Sequence, residues 1–201
     1  LGIETEKTFS SVLLPAVEDS LSPEDRALCH EIVLGSLRKQ IYLDRVISAL
    51  SKGRKLDNEV RIALRLAIYQ IEYLDRIPPY SAVNESVNLV QRAKKASARG
   101  FVNAVLRRFL REGVEIGFED NVDRLSVQSS HPRWLLEKWA RDFGPDTSES
   151  IANANNMVPP IAFRLLKDAP LLVKEIASIA WPSEYVPGCY LATGNRPRLV
   201  E

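Results

Sequence analysis

PYSAVNESVNLVQRAKKASARGFVNAVLRRFLR, residues 79–111, decides how this chain is read. Its apolar residues recur at helical spacing on either side of a short basic turn, Arg92–Arg99. Val83, Val87 and Val90 give the inner face of one helix, with Ser81 as its expected cap. Phe101, Val105 and Phe109, supported by Val102 and Leu106, give the inner face of the next. From Arg76 to Arg111 there are eight Lys or Arg residues and one acid, Glu85, a local charge of +7. The whole 201-residue chain is only +1, so the remainder sums to −6. Lys and Arg gathered on adjacent helix ends form the footprint of a phosphate-neutralising surface. The competing reading is a solvated face whose arginines offset the negative end of a helix. The candidate nucleic-acid contacts are Arg92, Lys94, Lys95, Arg99, Arg107, Arg108 and Arg111.

Upstream, the pattern stays helical. Leu1–Thr5 reads as the tail of a helix, and Phe9–Val17 as a short apolar helix with a boundary or kink at Pro15. Ser22-Pro23-Glu24-Asp25 is a strong start: a serine cap, proline at the first helical position, and acids beside the exposed N–H groups. That helix runs through Ala27, Leu28, Ile32 and Val33, and Tyr42, Val46 and Leu50 continue the spacing in a following segment. Asp57-Asn58-Glu59 opens a helix with Val60, Leu64, Ala67, Ile71 and Leu74 on one stripe. Ile62, Leu66, Ile68 and two tyrosines make it apolar nearly all round, the mark of a central, buried helix. Pro78-Pro79 is expected to close the loop after it.

Downstream, the composition changes. Gly113–Ser130 is acidic and polar, and reads as a linker with a short turn of helix. His131-Pro132 opens a helix whose packed side is expected to be Trp134, Leu135, Trp139 and Phe143, ended by Gly144. Asp146-x-x-Glu149 has the form of a capping box for one more helix. After Pro159-Pro160, Ile161, Phe163 and Leu165 alternate with Ala162 and Arg164 as a strand does. Leu171–Ala180 reads as a helix and Cys189–Ala192 as a second strand. The fold expected is therefore mainly α, with a small partial α/β piece at the end: 1–115 a helical domain, 116–158 a linker and helical pair, 159–201 the α/β part.

Composition excludes little beyond a membrane span: no apolar run approaches the roughly 18 residues one needs. The first residues, LGIETEKTFSS, lack a secretory pattern and an initiator Met, so the chain is expected to be processed or trimmed, and cytoplasmic. Cys29 and Cys189 read as small packed residues. His30 and His131 lack neighbours at metal-ligand spacing. Asn84, Glu85 and Asn103 are ligand-contact candidates but read better as hydrogen-bonding groups of the helices. Trp134 and Trp139 could stack on bases, though packing explains their spacing. There is no glycine-rich phosphate loop, no nucleophile elbow and no catalytic constellation.

PYSAVNESV, KKASARG and GFVNAVLRRFLR together resemble the NusB-like RNA-binding fold, and DRALCHEIVLGSLR (25–38) and RIALRLAIYQIEYLDRIP (61–78) fit it in order and distance. The continuation, SHPRWLLEKWARDFG and NANNMVPPIAFRLLK, is similar to the RsmB (Sun, Fmu) family of small-subunit rRNA cytosine-C5 methyltransferases. That resemblance implies a NusB-like domain, a helical linker and an RRM-like or ferredoxin-like subdomain, with small-subunit rRNA as partner. It implies a following catalytic domain that binds S-adenosylmethionine and uses a cysteine adding to cytosine C6. The family's cofactor and Pro-Cys motifs would lie beyond these residues, and Pro187-Gly188-Cys189 is no Pro-Cys pair. No cofactor is therefore expected on this chain, and no methyl transfer by it alone. An antitermination factor acting in transcription, or a scaffold whose basic face meets an acidic domain of its own chain, are the alternatives.

Overall fold

The centre of the helical part is α5 (Asn58–Tyr73), which buries Val60, Ala63, Leu64, Ala67 and Ile68. The computed structural model describes residues 2–6, 8–164, 176 and 179–192. Around α5 pack α4 (Gln40–Leu50), α6 (Pro79–Arg92) and α7 (Arg99–Glu112). Each contributes residues three or four apart: Leu43, Val46, Ile47 and Leu50 from α4, Val83 and Val90 from α6, and Val102, Val105, Leu106 and Phe109 from α7. The small side chains of α5 let α6 approach so closely that the buried Ser86 hydroxyl donates to the Ala63 carbonyl at 3.1 Å. Fully burying one such Leu or Val contributes about 1.5–3 kcal/mol relative to exposure.

Three helices precede α4: α1 (Gly2–Thr5), α2 (Ser10–Glu18) and α3 (Pro23–Arg38). α2 runs through Pro15 without ending there. At α3 the Ser22 hydroxyl accepts from the Asp25 N–H at 3.1 Å, with Pro23 in the first turn, as expected. α1 is fastened by Arg65, a buried guanidinium paired with Glu4 at 2.6 Å and Asp44 at 2.7 Å. A charge that deep requires such partners.

The start of α6 differs from the sequence reading. Pro79 is its first residue and Pro78 its cap position, so the proline pair begins the helix two residues before Ser81. Proline needs no hydrogen-bond acceptor in the first turn, and its fixed φ suits that place.

Residues 116–158 hold three helices, α8 (Asn121–Ser129), α9 (Arg133–Phe143) and α10 (Pro145–Asn155). Arg45 of α4 forks onto Asp123 at 2.6 and 3.1 Å. Ser130, in the left-handed conformation that ends α8, accepts the Tyr42 N–H at 3.1 Å. These bonds tie α8 to α4, and Leu1–Asn156 forms one compact unit, Met157–Glu201 a second.

Two expectations fail on α9 and α10. Trp134 and Phe143 are exposed, while Leu136 is the buried anchor of α9. Gly144, at φ +87, holds the cap position of α10, and Asp146 lies inside the helix without capping it.

In the second unit β1 (Ile161–Arg164), β2 (Ala180–Pro182) and β3 (Cys189–Ala192) form an antiparallel sheet in the order β1-β3-β2. β1 and β3 fall where the sequence alternates. β2 was not expected, since Ala180 read as the end of a helix. Most of that helix, and the Leu165 position, lie outside the described residues. Ile176, Ala180 and Ala192 form a small core with Phe163 and Tyr190.

Candidate nucleic-acid interface

The basic turn is built from the way α6 stops. Lys95 N–H donates to the Val90 carbonyl at 2.8 Å and Ala93 N–H to Leu89 at 2.9 Å, closing the helix end. The residue between them, Lys94, takes the left-handed conformation at φ +58. Glycine is usual there, because a side chain at such a φ is strained. A short 3-10 turn, Ala96–Ala98, then leads into α7 at Arg99.

The seven candidate cations do not form one patch. Arg92, Lys94 and Arg99 gather at the turn, all exposed, and none has an acidic partner among the described residues. Arg107, Arg108 and Arg111 stand toward the far end of α7, roughly 12 to 18 Å from Arg99 at about 1.5 Å per residue. Arg108 and Arg111 share Glu112 at 3.0 and 2.6 Å, and Arg107 is held by Asn103 at 3.1 Å. Asn103 thus serves its own helix. Asn84 is exposed, and Glu85 accepts from Asn88 at 3.4 Å.

Lys95 has a different job from its neighbours. Its ammonium lies 2.8 Å from Asp57 and 3.9 Å from Glu59, both at the start of α5. The hydrogen bond to Asp57 holds the lysine above its ordinary range and the aspartate below its own. Lys95 therefore cancels acids that would otherwise repel a phosphate at this edge.

The sequence reading missed a second basic segment beside the turn. Lys52, Arg54 and Lys55 occupy the loop between α4 and α5, where Lys52 and Gly53 both have positive φ. Arg54 and Lys55 line a cleft of about 330 Å³ with Asp57, Ser97 and Phe101. The Arg54 guanidinium sits 5.4 Å from the Phe101 ring centre. Phe101, half-buried, packs against the core as expected and also walls this cleft. Three cations in four residues around a glycine was the available signal. The cleft offers guanidinium and ammonium donors, a hydroxyl and an aromatic edge, which together suit a phosphate with its attached nucleoside.

The remaining candidates have structural partners. His30 lies 3.1 Å from Glu18. His131 Nδ1 is 2.9 Å from the Ser129 carbonyl, and its ring is tilted against Trp139. Among the described residues no group of His, Cys, Asp and Glu gathers to hold a metal ion, and no helix is long and apolar enough to cross a membrane. This cleft does not fit S-adenosylmethionine: Arg54 and Lys55 repel a sulfonium cation, and Asp57, the acid of its lining, is already paired with Lys95.

Residues 3–111 match the NusB family, and the chain belongs to it. Residues 131–165 match the RsmF/B-like methyltransferase ferredoxin-like domain. The chain is 36% identical over 165 residues to the probable ribosomal RNA small subunit methyltransferase B of Bacillus subtilis, covering 80% of this chain and 37% of that protein. It is 37% identical over 154 residues to the ribosomal RNA small subunit methyltransferase B of Pseudomonas putida, covering 76% of this chain and 35% of that one. The chain thus spans little more than a third of these relatives. The crystal structure of PH0851 shares the fold, with a TM-score of 0.62 at 18% identity, over 89% of this chain and 42% of that one.

Proposed function

We propose that this chain is the RNA-recognition part of an S-adenosylmethionine-dependent small-subunit rRNA (cytosine-C5) methyltransferase of the cytoplasm. Its division of labour is 1–115 for RNA binding, 116–158 as a helical connection and 159–201 as a ferredoxin-like piece leading to a catalytic domain. The observation that carries the reading is the exposed trio Arg92, Lys94 and Arg99, without an acidic partner among the described residues, beside the cleft of Arg54, Lys55 and Phe101. Arg107, Arg108 and Arg111 form a second, partly neutralised contact at the other end of α7, and Lys95 supports the trio by masking Asp57. The match to a methyltransferase ferredoxin-like domain at 131–165 favours this reading over a free-standing antitermination factor.

The experiment is a gel-shift titration of small-subunit rRNA fragments with the chain, its K94E/R99E variant and its R54E/K55E variant. Both variants are expected to weaken binding at moderate salt, and the chain alone is expected to transfer no methyl group. Undiminished binding by both variants would overturn the interface. Removing 1–115 from the complete parent and assaying methylation of naked rRNA separates recognition from scaffolding.

A further inference from the structure

Two clefts flank the loop between α4 and α5, and Arg54 and Lys55 line both. The first is the cleft described above, between the start of α5 and the start of α7. The second, of about 260 Å³, lies between the end of α4 and the start of α5, where Ser48, Ser51 and Arg61 join the shared pair. Arg61 is half-buried and has no acidic partner among the described residues. Each cleft has one acid in its lining, and each acid is neutralised by a cation from outside that lining. In the first, Asp57 meets Lys95 at 2.8 Å. In the second, Arg65 forks onto Asp44, Nε donating to one oxygen and Nη2 to the other, both at 2.7 Å. Both clefts therefore present positive charge to a ligand. The loop between them ends in an open tip. Lys52 and Gly53 are exposed and at positive φ, and beyond its chain neighbours nothing stands within 4 Å of where a Cβ on Gly53 would lie.

An exposed cationic loop with a phosphate-attracting cleft on either side is the counterpart of a groove bounded by two phosphate backbones. A single strand asks for something else, aromatic faces on which successive bases stack. The second cleft has no aromatic lining; its apolar walls are the aliphatic Ile47 and Leu56. In the first, the ring of Phe101 already has the Arg54 guanidinium 5.4 Å from its centre. What the two clefts do offer, charge and hydroxyls, suits the phosphates and 2′-hydroxyls that double-helical RNA displays along its wide, shallow minor groove. We propose that the α4–α5 loop enters the minor groove of an RNA double helix. One strand's phosphates then lie in the cleft of Arg61, Ser48 and Ser51, and the other strand's in the cleft beside Lys94 and Arg99. The proposal rests on the reading of this domain as RNA-binding; it adds Arg61 as a contact and the duplex as the form bound.

Fluorescence anisotropy tests it, with the 201-residue chain and its R61Q, R61K and K94Q/R99Q variants titrated against a blunt RNA duplex and a single strand of the same length. Hydroxyl-radical footprints on a longer duplex accompany the titrations. The duplex is expected to bind more tightly than the single strand. R61Q should make the salt dependence shallower by about 0.9, the value of one duplex phosphate. Over a fourfold rise in salt it should then lose about threefold less affinity than wild type does. R61K keeps the charge and should keep the slope. Wild type should protect both strands across one minor groove, with R61Q losing the protection of one strand and K94Q/R99Q that of the other. Single-stranded binding as tight as duplex binding refutes the groove, and so does an R61K slope as shallow as that of R61Q. Protection lost by R61Q on both strands, on neither, or on the same strand as K94Q/R99Q refutes it too. If R61Q binds as wild type while K94Q/R99Q is weakened, the groove is refuted and the basic turn stands. If the wild-type chain binds neither RNA, both readings fall together.

Discussion

Replacing Lys94 and Arg99 with glutamine tests the division between free and paired cations. Each phosphate neutralised by a protein cation changes the slope of log affinity against log salt by about 0.7 on single strands and 0.9 on duplex. Lys94 and Arg99 have no acidic partner among the described residues, so each is free to count fully. Losing both should make the slope shallower by about 1.4–1.8. Over a fourfold rise in salt, wild type should then lose about tenfold more affinity than K94Q/R99Q does. Lys95 should behave otherwise. Its ammonium is already 2.8 Å from Asp57, so K95Q should move the slope by less than about half of one contact. D57N should act in the opposite sense, releasing Lys95 and steepening the slope by up to about 0.9. Filter binding to one rRNA helix fragment, repeated at several potassium chloride concentrations, reads these four proteins and a single K94Q variant. A K95Q slope equal to that of a single K94Q variant, or a K94Q/R99Q slope equal to wild type, would show that the pairing pattern does not govern contact.

Three further outcomes follow from particular residues. K94G should raise stability by up to about 1 kcal/mol, since Lys94 sits at φ +58, while weakening RNA binding; urea midpoints and the same titration check both halves. D44A should lower stability by about 2–4 kcal/mol in chemical denaturation, because it removes one of the two carboxylates on the buried Arg65; the Asp44 side chain is 37% exposed, which keeps the loss below that of a fully buried pair. Glu72 is exposed overall, but desolvation by the protein around its carboxyl pushes it up, against the opposing effect of the Tyr42 hydroxyl that donates to it at 2.7 Å. The folded protein therefore holds this proton more tightly than the unfolded chain. Its contribution is fully present at low pH and fades as pH rises from the ordinary glutamate value through the raised one. E72Q, which keeps an acceptor for Tyr42, should flatten that part of the stability profile and be no less stable than wild type at neutral pH. A steeper profile in E72Q would contradict the assignment.

Helix starts were legible where a local side chain makes the cap. Ser22 caps α3 through its own hydroxyl, a bond spanning three residues. Asp146 and Glu149 had the right spacing for a capping box, but Pro145 takes the first helical place and Gly144 the cap. Position along the chain settles which residue enters first, and proline enters earlier than the acids can cap. Trp134 and Phe143 share the helical spacing of core residues, yet both face solvent. Spacing orients a side chain on its own helix and says nothing of whether another helix arrives to cover it. The short strand β2 was lost because three residues, one of them proline, carry too little alternation to register.

The sequence by itself determined the helices up to Glu112, the apolar stripes that pack them around α5, and the concentration of charge between Arg76 and Arg111. Those are properties of neighbours three or four positions apart, and the chain carries them wherever it folds. The tertiary structure alone decided which cations are available. Lys95 meets Asp57 across 38 positions of sequence, Arg65 is claimed by Glu4 and Asp44, and Arg54 reaches Phe101 from a different loop. Coulomb attraction depends on distance in space and on the solvent between charges, and neither is encoded in a count of residues.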